Sequence, residues 1–110
     1  MKIAATSPWR CAIDLANGSR IEYDSPRCAL LDWRTREILP RILLVQDYYD
    51  RSWRGGDEVL FVASSDVMGP MGADLVPVDR ARAQQFAREH TGTRPLALTE
   101  LSLELLRDLH

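Results

Sequence analysis

SDVMGPMGADLVPVD, running from Ser65 to Asp79, decides how the rest of the chain is read. Two methionines and two glycines flank a single proline, and this punctuation marks a tight turn between an apolar, strand-like run and a helix-like run. A turn of this kind is suited to presenting side chains, and methionine is an unusual choice for it. A thioether is a poor hydrogen-bond partner for water, and outside a core its distinctive chemistry is coordination of soft metal ions, above all Cu(I). Met68 and Met71 therefore have two readings: hydrophobes that tuck back under the loop to fill gaps, or soft ligands held at its tip.

Upstream and downstream of the turn, the second half of the chain reads β-β-α-β. Glu58 to Ala63 is an apolar strand, and a short strand lies around Asp74 to Pro77. Asp79 is placed to cap a helix in which Ala83, Phe86, Ala87 and His90 share a face, and Thr91-Gly92 ends it. Arg94 to Leu98 reads as a closing strand. Thr99 then caps a last amphipathic helix whose Leu101, Leu105 and Leu109 form an i, i+4, i+8 row, placed to lie across the sheet as a lid.

The first half has the same order. Trp9 to Leu15 alternates as a strand, Asn17-Gly18 gives a hairpin turn, and Arg20 to Tyr23 returns. Ser25 and Pro26 form a helix entry, as N-cap and first helical residue, with Cys28, Leu30 and Leu31 as the buried stripe. Ile42 to Gln46 is the third strand, and Asp50 to Asp57, with its Gly55-Gly56 pair, is a turn-rich connection. The expectation is a single α+β domain over residues 1–110. It is made of two ββαβ units, approximately 9–47 and 58–98, followed by a C-terminal helix over 99–109.

With 110 residues, 45% of them hydrophobic, the chain is long enough for one core. Its 14 basic and 16 acidic side chains give a net charge of −2, which lacks the polybasic footprint that nucleic acid or an anionic membrane requires. Neither a membrane-spanning apolar run nor a signal-peptide leader occurs within it.

The segments Val59 to Gly92, VLFVASSDVMGPMGADLVPVDRARAQQFAREHTG, Val45 to Trp53, VQDYYDRSW, and Gly18 to Trp33, GSRIEYDSPRCALLDW, together resemble the NosL family. These are copper-binding accessory lipoproteins of nitrous oxide reductase, with a fold shared by the core of the organomercurial lyases. The most specific part of the resemblance is the GPMG turn with the helix after it. The resemblance implies a non-enzymatic Cu(I)-binding, metallochaperone-like role in cuproenzyme maturation, outside the cytoplasm and dependent on an upstream leader. Family members carry a Cys-x-x-Cys-Gly-Met type motif before the first strand. The opening MKIAATSPWRCAID aligns best if Met1 ends that motif, with the cysteines just upstream. The ligands so nominated are Met71 first, Met1 second and Met68 third. The alternative is a metal-free interaction or scaffold domain that keeps the fold.

Cys11 and Cys28 are separated by sixteen residues, which fits no zinc pattern, and the histidines, His90 and His110, lie at helix ends far along the chain. Both thiols are expected to be free and buried. Cys11, Cys28 and Asp24 are the residues a lyase-like reading would use, but the motifs around Met71 and Trp53 resemble the accessory proteins. Ser64, Ser65 and Asp66 read as turn formers and Asp47 as a structural carboxylate. Trp9, Trp33 and Trp53 are expected to wall the core.

Overall fold

A computed structural model describes residues 7–35, 41–69 and 72–109. The architecture is α+β, with two antiparallel sheets and three helices. Strand β1 (Cys11–Leu15) pairs with β2 (Arg20–Tyr23) on one side and β3 (Arg41–Gln46) on the other, and β4 (Trp53–Gly55) adds to β3. The β1–β2 turn forms where Asn17-Gly18 places it. Gly18 takes φ +88, and the Asn17 side chain accepts from the Ser19 amide at 2.9 Å. The resulting register sets Asp14 opposite Arg20, whose guanidinium hydrogen-bonds the Asp14 carboxyl and holds it below the usual carboxylate range.

Helix α1 (Pro26–Thr35) begins as the sequence expects, with Ser25 Oγ accepting from the Cys28 amide at 3.3 Å and Pro26 in the first turn. Its buried face is phased differently. Ala29 and Leu30 are fully buried, Leu31 and Trp33 only partly, and Cys28 is exposed, so the expectation of a buried thiol at 28 fails. Position 28 lies in the first turn, where burial falls on Pro26 and Ala29 instead.

In the second unit, β5 (Val59–Val62) pairs antiparallel with β6 (Val76–Asp79). On its other side, Phe61 exchanges both backbone hydrogen bonds with Leu96, at 2.7 and 2.8 Å. Thus β5 lies between β6 and the Leu96 segment as β1 lies between β2 and β3, with a helix after the second strand in each case. The expected closing strand Arg94 to Leu98 is reduced to this single bridge.

Helix α2 (Ala83–Glu89) buries Ala83, Phe86 and Ala87 over β5 and β6, together with Val62, Val76 and Val78. Asp79 does not cap it. It ends β6 and accepts from the Ala81 amide at 2.9 Å, so that it shapes the turn ahead of the helix, whose N-cap position is Arg82. After α2, Thr91 takes the left-handed conformation at φ +56, and Gly92 returns its amide to Ala87 O. Glycine is required at 92 because a Cβ there would collide with Val62.

Three further expectations are corrected. Strand β4 occupies part of the predicted turn connection. Its three residues are too few to show an alternating pattern, yet Leu44, Val45 and Gln46 offer a free edge that pairs with them. The last helix is shorter and differently capped. Leu98–Glu100 forms a 3-10 turn, and Ser102, not Thr99, accepts from the Leu105 amide to start α3 (Leu103–Arg107). Leu106 is then fully buried with Leu101, while Leu105 and Leu109 are only partly covered, and α3 packs against α1. Trp9 and Trp33 do pack against the cores, but Trp53 on the edge strand is 44% exposed, with Arg10 over its ring.

Two buried carboxylates position the loops. Asp47, 1% exposed at the end of β3, accepts from the Asp79 amide at 2.7 Å and from Arg82 Nη2 at 3.2 Å, joining the first sheet to the β6–α2 junction. Beside it, the Tyr48 amide donates to Pro77 O. Asp74 Oδ1 accepts from the amides of Arg27, at 2.8 Å, and Leu75, at 2.7 Å, so it satisfies a free donor of the first turn of α1. Burial pushes the Asp74 carboxyl up to about 6, with the backbone amides of Leu75 and Arg27 and the Ser25 hydroxyl opposing the rise.

Asp47→Ala strips a buried amide and a guanidinium of their acceptor, and should lower stability by about 3 kcal/mol; Asp47→Asn, which keeps a carbonyl acceptor, should lower it by about half as much. Denaturant titrations with unchanged m-values check this, and equal losses in both variants would contradict it. Asp74 gives a pH signature. Its native carboxyl titrates near 6 against an ordinary value of 3.8, so the folded state holds the proton more tightly. Its contribution is fully present below about pH 4 and is lost as pH rises to about 6, a change of about 3 kcal/mol. Asp74→Asn keeps an acceptor without that titration, so its stability relative to wild type should rise by about that amount from pH 4 to 7. Parallel pH profiles for the two proteins would refute the assignment.

Candidate metal-handling site

The 65–79 segment forms a loop fixed at both ends. At its start, Ser64 is left-handed at φ +56, Ser65 Oγ accepts from the Val67 amide, and the Asp66 amide donates to His90 O at 2.9 Å. At its end stands Asp74, anchored on α1. Between them, Gly69 and Gly72 exchange backbone hydrogen bonds at 2.7 and 3.1 Å, closing a tight turn with Gly72 at φ +105. A Cβ on Gly69 would come within 2.9 Å of the Asp74 carboxylate, so the turn lies directly against that group.

Of the three nominated ligands, Met71 and Met1 lie outside the described residues. Met68 is described, and it does not fill the core: it is 54% exposed. Its side chain borders an open cleft of about 410 Å³, walled by Trp9, Gln46, Tyr48, Tyr49 and Pro77. The Gln46 amide donates to Ser7 O and Arg10 O, which fixes the segment carrying Trp9 along the cleft. Tyr48 packs edge-on against Phe86, and Arg82 lies 4.5 Å above the Tyr49 ring. The two tyrosines are more than a third exposed, so an aromatic rim surrounds the methionine.

The thiols are both free and differ sharply in setting. Cys11 is buried on β1 with Ile13, as its strand alternation predicts. Burial pushes its thiol well up, and the negative charges of Asp74, Cys28 and Asp24 push in the same direction, so the thiolate is disfavoured. That environment opposes the metal-thiolate chemistry a lyase-like reading would ask of it. Among the described residues no group of three or more histidine, cysteine, aspartate or glutamate side chains converges as a metal site.

One pairing was not visible in the sequence. Asp66, read there as a turn former, places its carboxylate 2.7 Å from Nδ1 of His90, 24 residues away. The His90 ring also stacks on Phe86, with centroids 4.5 Å apart, and meets Tyr48 edge-on. The only advance signal was that His90 shares the helix face of Phe86.

No helix among the described residues is long and apolar enough to cross a membrane. A search of curated proteins finds no match. The sequence profile of the NosL family matches residues 1–106, nearly the whole chain, and includes the methionine turn, α2 and the β1–β2 hairpin. The chain belongs to the NosL family, a family of extracytoplasmic copper-related accessory proteins.

Proposed function

We propose that this domain binds Cu(I) at the methionine turn and passes it to a cuproenzyme maturation system of the nitrous oxide reductase type, without catalysing a reaction itself. Met71 is the first-choice ligand, Met1 the second and Met68 the third. The observation that carries the reading is the exposure of Met68, a large apolar side chain held out of the core on a turn fixed at both ends. Thioethers hold Cu(I) without adding charge, so the ion can leave by ligand exchange toward a stronger acceptor. A periplasmic or membrane-anchored location accords with this role.

A metal-free interaction domain is the second reading. It is favoured by the exposed rings of Tyr48 and Tyr49, which meet edge-on beside the cleft, since contiguous exposed apolar surface marks contact sites.

Anaerobic titration against a chromophoric Cu(I) chelator separates the two. The copper reading expects uptake of about one equivalent of Cu(I) and no competing Zn(II) uptake, because the turn offers soft donors and no tetrahedral nitrogen or thiolate set. Zinc bound more tightly than copper would defeat the copper reading, and uptake of neither metal would favour the metal-free one.

Met68→Leu and Met71→Leu test the ligands singly. Each swap conserves volume and apolarity, so thermal stability should change by less than about 1.5 kcal/mol while copper affinity falls. Unchanged affinity in either variant removes that residue from the site.

A further inference from the structure

The cleft beside the methionine turn carries hydrogen-bond donors that the fold does not use. Among the described residues, no hydrogen bond engages Trp9 Nε1, the Tyr48 hydroxyl, the Tyr49 hydroxyl or the Arg51 guanidinium, although all four residues line it. Arg51 is also the one charged residue of that described lining. The nearby carboxylates do not serve it. Asp47, Asp50 and Asp79 each lie within 4.0 Å of Arg54 or Arg82, whereas Arg51 has no ion pair among the described residues. Its backbone is left-handed at φ +60, a conformation that non-glycine residues seldom hold and that recurs at ligand-binding sites.

The backbone around the cleft restricts what it can hold. Val76 and Pro77 of β6 form one wall, and the outer edge of that strand is already occupied. Pro77 O accepts from the Tyr48 amide, and the amides of Asp79 and the flanking Leu75 donate to Asp47 and Asp74. An incoming chain therefore cannot add as a further strand and must be held by its side chains and by carbonyls that accept from the open donors. A polyproline II segment meets both conditions. Its backbone carbonyls are not bonded within the segment, proline has no N–H to satisfy, and its rings pack on aromatic walls. The Tyr48 and Tyr49 rings, with centroids 5.2 Å apart and planes at 83°, supply such walls together with Trp9. The unpaired Arg51 adds a demand for a carboxylate. We propose that the cleft binds a proline-rich, acidic peptide segment of a partner protein, with Trp9, Tyr48 and Tyr49 holding the prolines and Arg51 the carboxylate. This rests on the contact surface of the second reading above, and not on the absence of metal. Because Met68 borders the same cleft, a partner so held stands beside the methionine turn.

Three pentapeptides, acetylated and amidated at their ends, serve as probes: Pro-Pro-Glu-Pro-Pro, its counterpart Pro-Pro-Gln-Pro-Pro, and Ala-Ala-Glu-Ala-Ala. Added to the isotope-labelled, metal-free full chain, the first should shift the amide signals of Trp9, Tyr48, Tyr49 and Arg51 and the Trp9 indole signal. It should bind about threefold more tightly than the glutamine peptide, the size of a solvent-exposed ion pair, and the alanine peptide should not bind. Arg51→Asn is the control. Asparagine tolerates the left-handed backbone, so this variant should melt no lower than wild type while binding both proline peptides equally. Should it unfold, the wild-type comparison of the glutamate and glutamine peptides decides. Equal cleft shifts with the alanine peptide would overturn the proline class, and a preference for glutamate that survives in Arg51→Asn would overturn the role of the arginine. No shift at these residues with any of the three peptides would overturn the site. Copper uptake in the chelator titration would defeat the metal-free reading alone and leave this site standing, because the peptides are tested without metal.

Discussion

A single buried carboxylate, Asp47, fixes how the two halves of this protein meet. Removing a carboxylate from water is expensive, and it is tolerated here because the group receives the Asp79 amide and the Arg82 guanidinium from the other half of the chain. The contact sets the end of β3 against the end of β6 and the start of α2, and the Tyr48 amide continues the junction by pairing with Pro77. Tyr48 and Tyr49 follow Asp47 directly in the chain, so the position of one carboxylate determines the aromatic rim of the cleft.

The methionine loop is built on the same logic from both sides. Asp74 ties its exit to the first turn of α1, in the first unit. Asp66 ties its entry to the C-terminal end of α2, in the second. A short turn closed by Gly69 and Gly72 is thereby held on two helices from different halves of the molecule. Under the copper role proposed above, such a mounting would hold the turn in place without enclosing it. The exposed Met68 and the open cleft beside it are consistent with that role, whereas the buried and proton-retaining Cys11 is not.

Much of the fold was legible in the residues because the signals act over a few positions. Asn17-Gly18 specifies the hairpin, Ser25-Pro26 the start of α1, and the spacing of Ala83, Phe86 and Ala87 the buried face of α2. Errors arose where a local signal had a close competitor. Ser102 displaced Thr99 as the cap of α3, and Asp79 closed a turn where a helix cap was expected. They also arose where an element was too short to have a period, as with β4 and the single bridge at Leu96.

The sequence by itself determined most of the order of strands and helices, the family resemblance and the presence of an unusual methionine turn, since these depend on near neighbours and on pattern. Tertiary structure alone decided what surrounds that turn. Asp74 meets Arg27 across 47 positions, Asp47 meets Asp79 across 32, and Asp66 meets His90 across 24. No propensity or periodicity links residues so far apart in the chain. For Asp74 and Asp47 the partners are selected by which buried donors lack an acceptor once the sheets and helices have packed, a condition that exists only in the folded molecule.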